Sequence, residues 1–338
     1  MAALTALART HGGPDAQGVP RHDFSSNSHA GGPCPLALAA VQQADATRYP
    51  DASYAALRAQ LAAFHGVAAA RVVLAASASE FIFRITASVA QQGGEAVWLP
   101  PHHYGDYAQA AEAWGLRPTA LPQDAALAWC CEPSSPLGAA QPGLPALVAA
   151  AAPASVVLDR AYEPLRLQGA PALDEAGLRR VWQLWTPNKA LGLTGVRAAY
   201  AIAPAGSEEA AAQLERLAPS WPLGAHGVAL LQAWCEPAVQ HWLAGSLATL
   251  REWKARQIAL CEALGWACLP SDANFFCARP GVPDLGPALR SLRAQSIKLR
   301  DCTSFGLAGQ VRLAVLPPAA QDALAGAWQQ IQHEQETT

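Results

Sequence analysis

The chain is short of charge, of lysine and of any long apolar run. Charged residues make up 14% of its 338 positions, where soluble domains carry about 25%, and the formal net charge is -3. Charge so sparse and balanced excludes a nucleic-acid role, because neutralising phosphates requires a basic face. Disorder is excluded as well, since 51% of the residues are hydrophobic and disordered chains are poor in apolar side chains. The longest uncharged stretch, Pro133 to Leu158, is broken by Pro136, Pro142, Pro145 and Pro153 and would make a poor helix in lipid. Residues 1–8 are mildly apolar without a basic leader, so no secretory signal is expected. Eight cysteines, at 34, 130, 131, 235, 261, 268, 277 and 302, form no CxxC. Buried free thiols are expected of them rather than a disulfide framework. His102-His103 is the densest histidine site and has no Cys, Asp or Glu at ligand spacing, so no metal is expected. The expectation is a cytoplasmic globular protein without nucleic-acid or membrane partners.

What is present is an α/β pattern. The length suggests about two domains. Short apolar runs, the candidate strands, lie at Arg71–Ala75, Ala96–Pro100, Ala126–Cys131, Ser155–Asp159, Arg180–Trp185 and Ala198–Ala203. Between them lie amphipathic stretches such as Ser53–His65, Glu80–Gln91 and Tyr104–Trp114. This alternation predicts a mostly parallel sheet flanked by helices. From Ser207 to Leu264 the texture is helical; short strands follow at Ala273–Cys277 and Val311–Val315, with a closing helix from Ala319. The expected division is a large α/β domain over 42–230 and a small α+β domain made from 1–41 and 231–338.

Only three of the 23 Lys and Arg residues are lysine: Lys189, Lys254 and Lys298. The scarcity narrows any search for a nucleophilic amine. Lys254, in the helical stretch LREWKARQ, reads as a bland helix lysine that should not matter. Lys189, in WTPNKALGLTGVRAAY, follows a strand and precedes Gly192, Gly195 and Arg197. That junction points a side chain into the crevice outside the strand ends, where a lysine serves as a covalent nucleophile. Asp159 ends the strand SVVLD and Tyr162 follows it. By itself Asp159 is equally a capping acid, or a partner for a ring nitrogen. Ala76-Ser77-Ala78-Ser79 precedes a helix, which makes an N-cap and also a seat for phosphate.

Taken together, a phosphate seat at Ala78-Ser79, an aromatic at Tyr104, an acid at Asp159 and a lysine at 189 occur in chain order, each near a strand end. In this the chain resembles the fold-type I pyridoxal-phosphate enzymes over nearly its whole length. The resemblance implies pyridoxal 5'-phosphate as cofactor, Lys189 as the residue that attaches it, and Asp159 and Tyr162 as contacts of its ring nitrogen and ring hydroxyl. It further implies Tyr104 as the stacking aromatic, Ala78, Ser79, Thr186 and Arg197 on the phosphate side, and a homodimer in which Tyr49 reaches the neighbouring subunit's cofactor. Asn188 stands where a small Ser or Thr is usual. Ser135, in Ser134-Ser135-Pro136-Leu137-Gly138, replaces the asparagine that contacts the ring hydroxyl.

Within that family the sequence is similar to two subgroups, the L-threonine-O-3-phosphate decarboxylases of cobalamin biosynthesis and the histidinol-phosphate aminotransferases. THGG at 10–13 and HDFSSNS at 22–28 resemble the opening of the decarboxylases, which implies that His11, Gly12 and Asn27 hold a substrate phosphate. Arg300 and Arg312 stand at the family's two substrate-binding arginines, where a guanidinium fork suits phosphate or carboxylate. Decarboxylation is therefore the leading expectation, with amino transfer to a keto acid as the alternative. Cofactor binding without turnover is kept open by Ser135.

Overall fold

A computed structural model describes residues 11–150 and 155–336; residues 1–10, where the absence of a signal was expected, lie outside them. The N-terminal segment contributes β1 (His22–Asp23) and α1 (Pro35–Gln42), followed by α2 (Ala55–His65). The next strands are β2 (Val72–Ala75), β3 (Ala96–Trp98), β4 (Arg117–Thr119), β5 (Leu127–Cys131), β6 (Ser155–Asp159), β7 (Trp182–Trp185) and β8 (Ala199–Ile202). They form one sheet in the order β2-β8-β7-β6-β5-β3-β4. All pairs from β7 through β4 are parallel, and β8 runs against both of its neighbours. Helices α3 (Ala78–Gln91), α4 (Gly105–Ala113), α5 (Leu144–Ala150), α6 (Glu175–Leu178) and the single turn α7 (Pro187–Ala190) connect these strands. Every residue of β5, β7 and β8 is buried, as expected of strands covered on both faces.

Then come α8 (Glu208–Arg216), α9 (Ala225–Trp234) and the 27-residue α10 (Pro237–Ala263). Proline enters at N1 of α10, where its missing N–H costs nothing. A second sheet, in the order β12-β13-β10-β9, is antiparallel throughout. It consists of β9 (Ala267–Cys268), β10 (Phe275–Arg279), β12 (Arg300–Asp301) and β13 (Val311–Ala314). Helices α11 (Leu285–Ala294) and α12 (Pro318–Glu336) cover it, and β11 (Ile297–Lys298) pairs in parallel with β1. Phe24 is fully buried in the apolar cluster under this sheet, beside Phe276, Leu313 and Trp328. The N-terminal segment is thereby fastened to the C-terminal part of the chain. No described helix is long and apolar enough to cross a membrane. All eight cysteines are free, and six of them are buried.

Three expectations need correction. The strand expected to reach Pro100 stops at Trp98, and the one expected from Arg180 begins at Trp182. Strand β4 escaped the pattern because it is a short edge strand, Arg-Pro-Thr, with no buried residue. Lys254 is not the bland helix lysine expected. It is buried, and its Nζ donates to the carbonyls of Ser271 and Ala273, tying α10 to the approach to β10. Burial pushes its amine down from 10.5 to about 8.

Lys254→Met should lower stability by about 2 kcal/mol at neutral pH, because it strands the Ala273 carbonyl and leaves that of Ser271 with Gln168 Nε2 alone. Between pH 8 and 10.5 the unfolded chain holds a proton that folded Lys254 has released, so stability rises with pH there. Urea unfolding at pH 7 and pH 9.5 should therefore show the gap between wild type and Lys254→Met widening at the higher pH.

Candidate active site

The carboxyl ends of β2, β3, β5, β6 and β7 open onto one crevice, as loops of a parallel sheet do. After β2, helix α3 starts at Ala78, two residues earlier than the pattern suggested. Ser77 is its N-cap: the Ser77 hydroxyl accepts the Glu80 N–H at 3.1 Å, and the Glu80 carboxylate accepts the Ala76 N–H at 3.2 Å. Ala78 and Ser79 thus occupy a first turn whose N–H groups find no acceptor within the helix, a seat for an anion. After β3, Tyr104 is the N-cap residue of α4; its hydroxyl lies 3.5 Å from Ser79 Oγ, and burial drives its ionisation well above the ordinary range.

Asp159, at the tip of β6, is buried. Its Oδ1 accepts the Ala161 N–H at 2.9 Å and its Oδ2 accepts the Tyr107 hydroxyl at 2.7 Å. Burial pushes the carboxyl up, while the Tyr107 donor and the Lys189 charge pull it back. Lys189 lies in α7, half-buried, with Nζ 3.4 Å from Thr186 Oγ1 and 5.5 Å from the centre of the Tyr162 ring. Asn188 turns to the following loop and donates to the carbonyls of Thr194 at 3.4 Å and Val196 at 3.2 Å. That bond pair shapes the turn before Arg197, a job the small residue usual there could not do.

Two cavities meet at Lys189. The smaller, about 110 Å³, is lined by Ala78, Ser79, Asp159, Thr186, Asn188 and Arg197, among others. The larger, about 570 Å³, is lined by His11, Gly12, Asn27, Arg300 and Arg312. Tyr104, Ser135, Tyr162 and Lys189 belong to both, whereas Lys254 and Lys298 belong to neither. The smaller cavity fits pyridoxal phosphate chemically: it offers one amine, a buried acid for a ring nitrogen, an aromatic face and a helix start for a phosphate.

The larger cavity is walled by arginine. Arg300 and Arg312 are paired across β12 and β13, and both are buried. Arg312 donates to Ser135 Oγ at 3.3 Å and to the Ser25 carbonyl at 3.2 Å. Arg300 donates to Ser304 Oγ at 2.7 Å and lies over the Phe305 ring. Burial, and then the charge of Arg312, pull the pKa of Arg300 down, so an anion between them would be welcome. Asn27 is buried, and its Nδ2 donates to the Tyr162 hydroxyl at 3.3 Å.

His11 is exposed at the rim, its ring centre 6.2 Å from that of Tyr104. The turn behind it is pinned three times. Gly13 donates to Ser25 Oγ at 2.8 Å, Lys298 Nζ donates to the Gly13 carbonyl at 2.6 Å, and Asp15 pairs with Arg293 and Lys298 at 2.7 and 2.9 Å. Those two cations hold the Asp15 carboxyl far below its usual range. Gly12 is obligatory, since a Cβ there would meet the Ser25 carbonyl oxygen at 2.0 Å. Tyr49, in contrast, lines neither cavity. It is exposed and stacked on Trp221 with ring centres 4.5 Å apart.

The sequence reading missed Tyr107, Ser25 and Lys298. Tyr107 carries a signal in retrospect, lying three residues beyond Tyr104 on the same face of α4. Ser25 and Lys298 act through contacts that no local pattern reveals. Gly12→Ala should displace the His11 turn. Amide exchange of residues 12–26 is then expected to speed up roughly tenfold while β5 and β6 stay protected; unchanged exchange would mean that the turn is not anchored at Ser25.

The sequence matches the family described as aminotransferase class I and II over residues 21–327. It is 29% identical to a histidinol-phosphate aminotransferase of Jannaschia sp. (strain CCS1) over 321 residues, 87% of each chain. Among solved structures it is similar to the histidinol-phosphate aminotransferase from Sinorhizobium meliloti in complex with pyridoxal-5'-phosphate. The TM-score is 0.74 at 22% identity, covering 90% of this chain and 88% of that one. It is also similar to the L-threonine-O-3-phosphate decarboxylase from Porphyromonas gingivalis, with a TM-score of 0.77 at 18% identity over 92% and 99% of the two chains. At such identities the structural likeness speaks for the fold alone, and that fold is the fold-type I transferase fold. Fold, match and relatives agree: the chain belongs to the class I and II aminotransferases.

Proposed function

We propose that this enzyme transfers the amino group of a phosphorylated substrate, in the manner of the histidinol-phosphate aminotransferases. The observation that carries the reading is the meeting of two cavities at one lysine, a buried acid on one side and two buried arginines on the other. The curated relatives add weight to amino transfer. Pyridoxal 5'-phosphate, the cofactor of this family, supplies when bound a pyridinium ring that absorbs the electron pair left as a bond to the amino carbon breaks.

In this reading Lys189 would attach the cofactor and, as a free amine, carry a proton at Nζ to and from the amino carbon of the substrate. Thr186 Oγ1, within 3.4 Å, orients that nitrogen. Asp159 would hold the ring nitrogen, Tyr104 would offer its face to the ring, and Tyr162 and Ser135 would meet the ring hydroxyl. The first-turn amides of Ala78 and Ser79, with Thr186 and Arg197, would hold its phosphate, while Asn188 holds the loop that presents Arg197. A homodimer would add Tyr49 of the partner subunit. Arg300, Arg312, Asn27, His11 and Gly12 take the substrate's phosphate and any carboxylate, two anions for which two guanidinium forks are matched. The division into a cofactor domain at 42–230 and a smaller domain from the remaining segments belongs to the same proposal.

Decarboxylation of O-phospho-L-threonine is a second reading, favoured by a particular observation: the N-terminal turn at His11 and Gly12, with Asn27, forms part of the cavity wall. Side-chain identity leaves open which bond of the amino carbon is broken; the orientation imposed by the arginines selects it.

The test is to load the protein with pyridoxal phosphate and offer histidinol phosphate with 2-oxoglutarate, then separately O-phospho-L-threonine. A carbonyl product with glutamate formed, and the cofactor left in its amine form when 2-oxoglutarate is withheld, establishes amino transfer. Release of CO2 with the cofactor still an aldehyde establishes the second reading. Binding without either product would leave a cofactor-binding protein. Borohydride should fix the cofactor to the wild type and to Lys298→Ala; a fixed adduct on Lys189→Ala would overturn the assignment of Lys189.

A further inference from the structure

We infer that Tyr107 is a positioning residue, fixing Asp159 as an ionised acceptor for the ring nitrogen of the cofactor; this rests on the cofactor reading above. Asp159 is buried and, among the described residues, takes part in no salt bridge of its own. Its oxygens receive one donor each, the Ala161 N–H and the Tyr107 hydroxyl. Each carboxylate oxygen has two lone pairs, so a third donor can still be taken.

Tyr107 is built for that one bond. It is fully buried in α4, and its ring stacks on Trp129 with centres 4.3 Å apart and planes 7° apart. Trp129 is itself fully buried in the middle of β5, so the phenol is held by the sheet rather than by a loop. Burial and the neighbouring carboxylate push the Tyr107 hydroxyl well above its ordinary range. The phenol therefore keeps its proton and acts as donor, and without it burial would drive Asp159 further toward the neutral acid. A neutral acid cannot hold a pyridine nitrogen protonated by charge.

Tyr107→Phe removes only the hydroxyl and keeps the ring on Trp129, so the fold is retained and thermal unfolding serves as the control. Affinity is measured for pyridoxal phosphate and for its 1-deaza analogue, in which a C–H replaces the ring nitrogen. The expected result is roughly tenfold weaker binding of pyridoxal phosphate, with the affinity for the analogue changed less than twofold. Equal weakening of both ligands would reduce Tyr107 to a packing residue, and no weakening of either would remove it from the site; both overturn the inference. Asp159→Asn separates this from the reading beneath it. If that substitution also weakens both ligands equally, Asp159 does not face the ring nitrogen and the cofactor assignment falls. If Asp159→Asn weakens pyridoxal phosphate selectively and Tyr107→Phe does not, only the inference about Tyr107 falls.

Discussion

A carboxylate buried at the end of a parallel strand is the constraint around which this molecule is arranged. β6 is apolar between Ser155 and its last residue, Asp159, and lies between two strands whose side chains are all buried. An ionised acid in such a place is costly unless hydrogen bonds and a nearby cation offset the lost hydration. The chain supplies an amide from Ala161, a phenol from α4 and the charge of Lys189. Those requirements fix the direction in which α4 enters and the place of the turn after β7. Tyr104 and Thr186 are then in position because their neighbours in sequence already are.

The large sheet was legible because its strands are continuous apolar runs bounded by turn residues, and six of its seven strands show this. Lysine scarcity made Lys189 conspicuous, and a strand-to-turn junction supplied its direction. Position along the chain gave no account of Lys254, whose two carbonyl acceptors follow a helix end and a short strand. Nor could it show that Asn188, an odd residue beside the lysine, shapes a loop, since its bonds depend on a turn closing over it. The two-residue strands β1 and β11 carry no periodicity at all and exist only through each other. Tyr107 lay between the two extremes: its spacing from Tyr104 was visible, but not the carboxylate it meets.

Ser135 illustrates how a departure from a family pattern is absorbed. Its hydroxyl accepts a bond from Arg312 and lies where both cavities meet. A longer amide would compete with the guanidinium for that space, so the short side chain and the position of Arg312 are one solution. The preference for arginine across this chain suits such places, because a guanidinium stays charged and tolerates burial beside aromatic rings better than an ammonium does. Phe275 and Phe305 provide two such rings for Arg312.

The two cavities differ in where their walls come from along the chain. The smaller is lined entirely by residues between 77 and 198. The larger is closed by bonds such as that from Arg312 to Ser25, 287 positions apart, and that from Lys298 to Gly13, 285 apart. Contacts of such separation form late, because the loop they close must first be paid for in entropy. A chain emerging from the ribosome completes the parts of the smaller cavity long before the second arginine is made. The segment that carries Gly13 and Ser25 waits for the strands that carry Lys298 and Arg312, so the larger cavity closes only after the parts of the smaller one have been made.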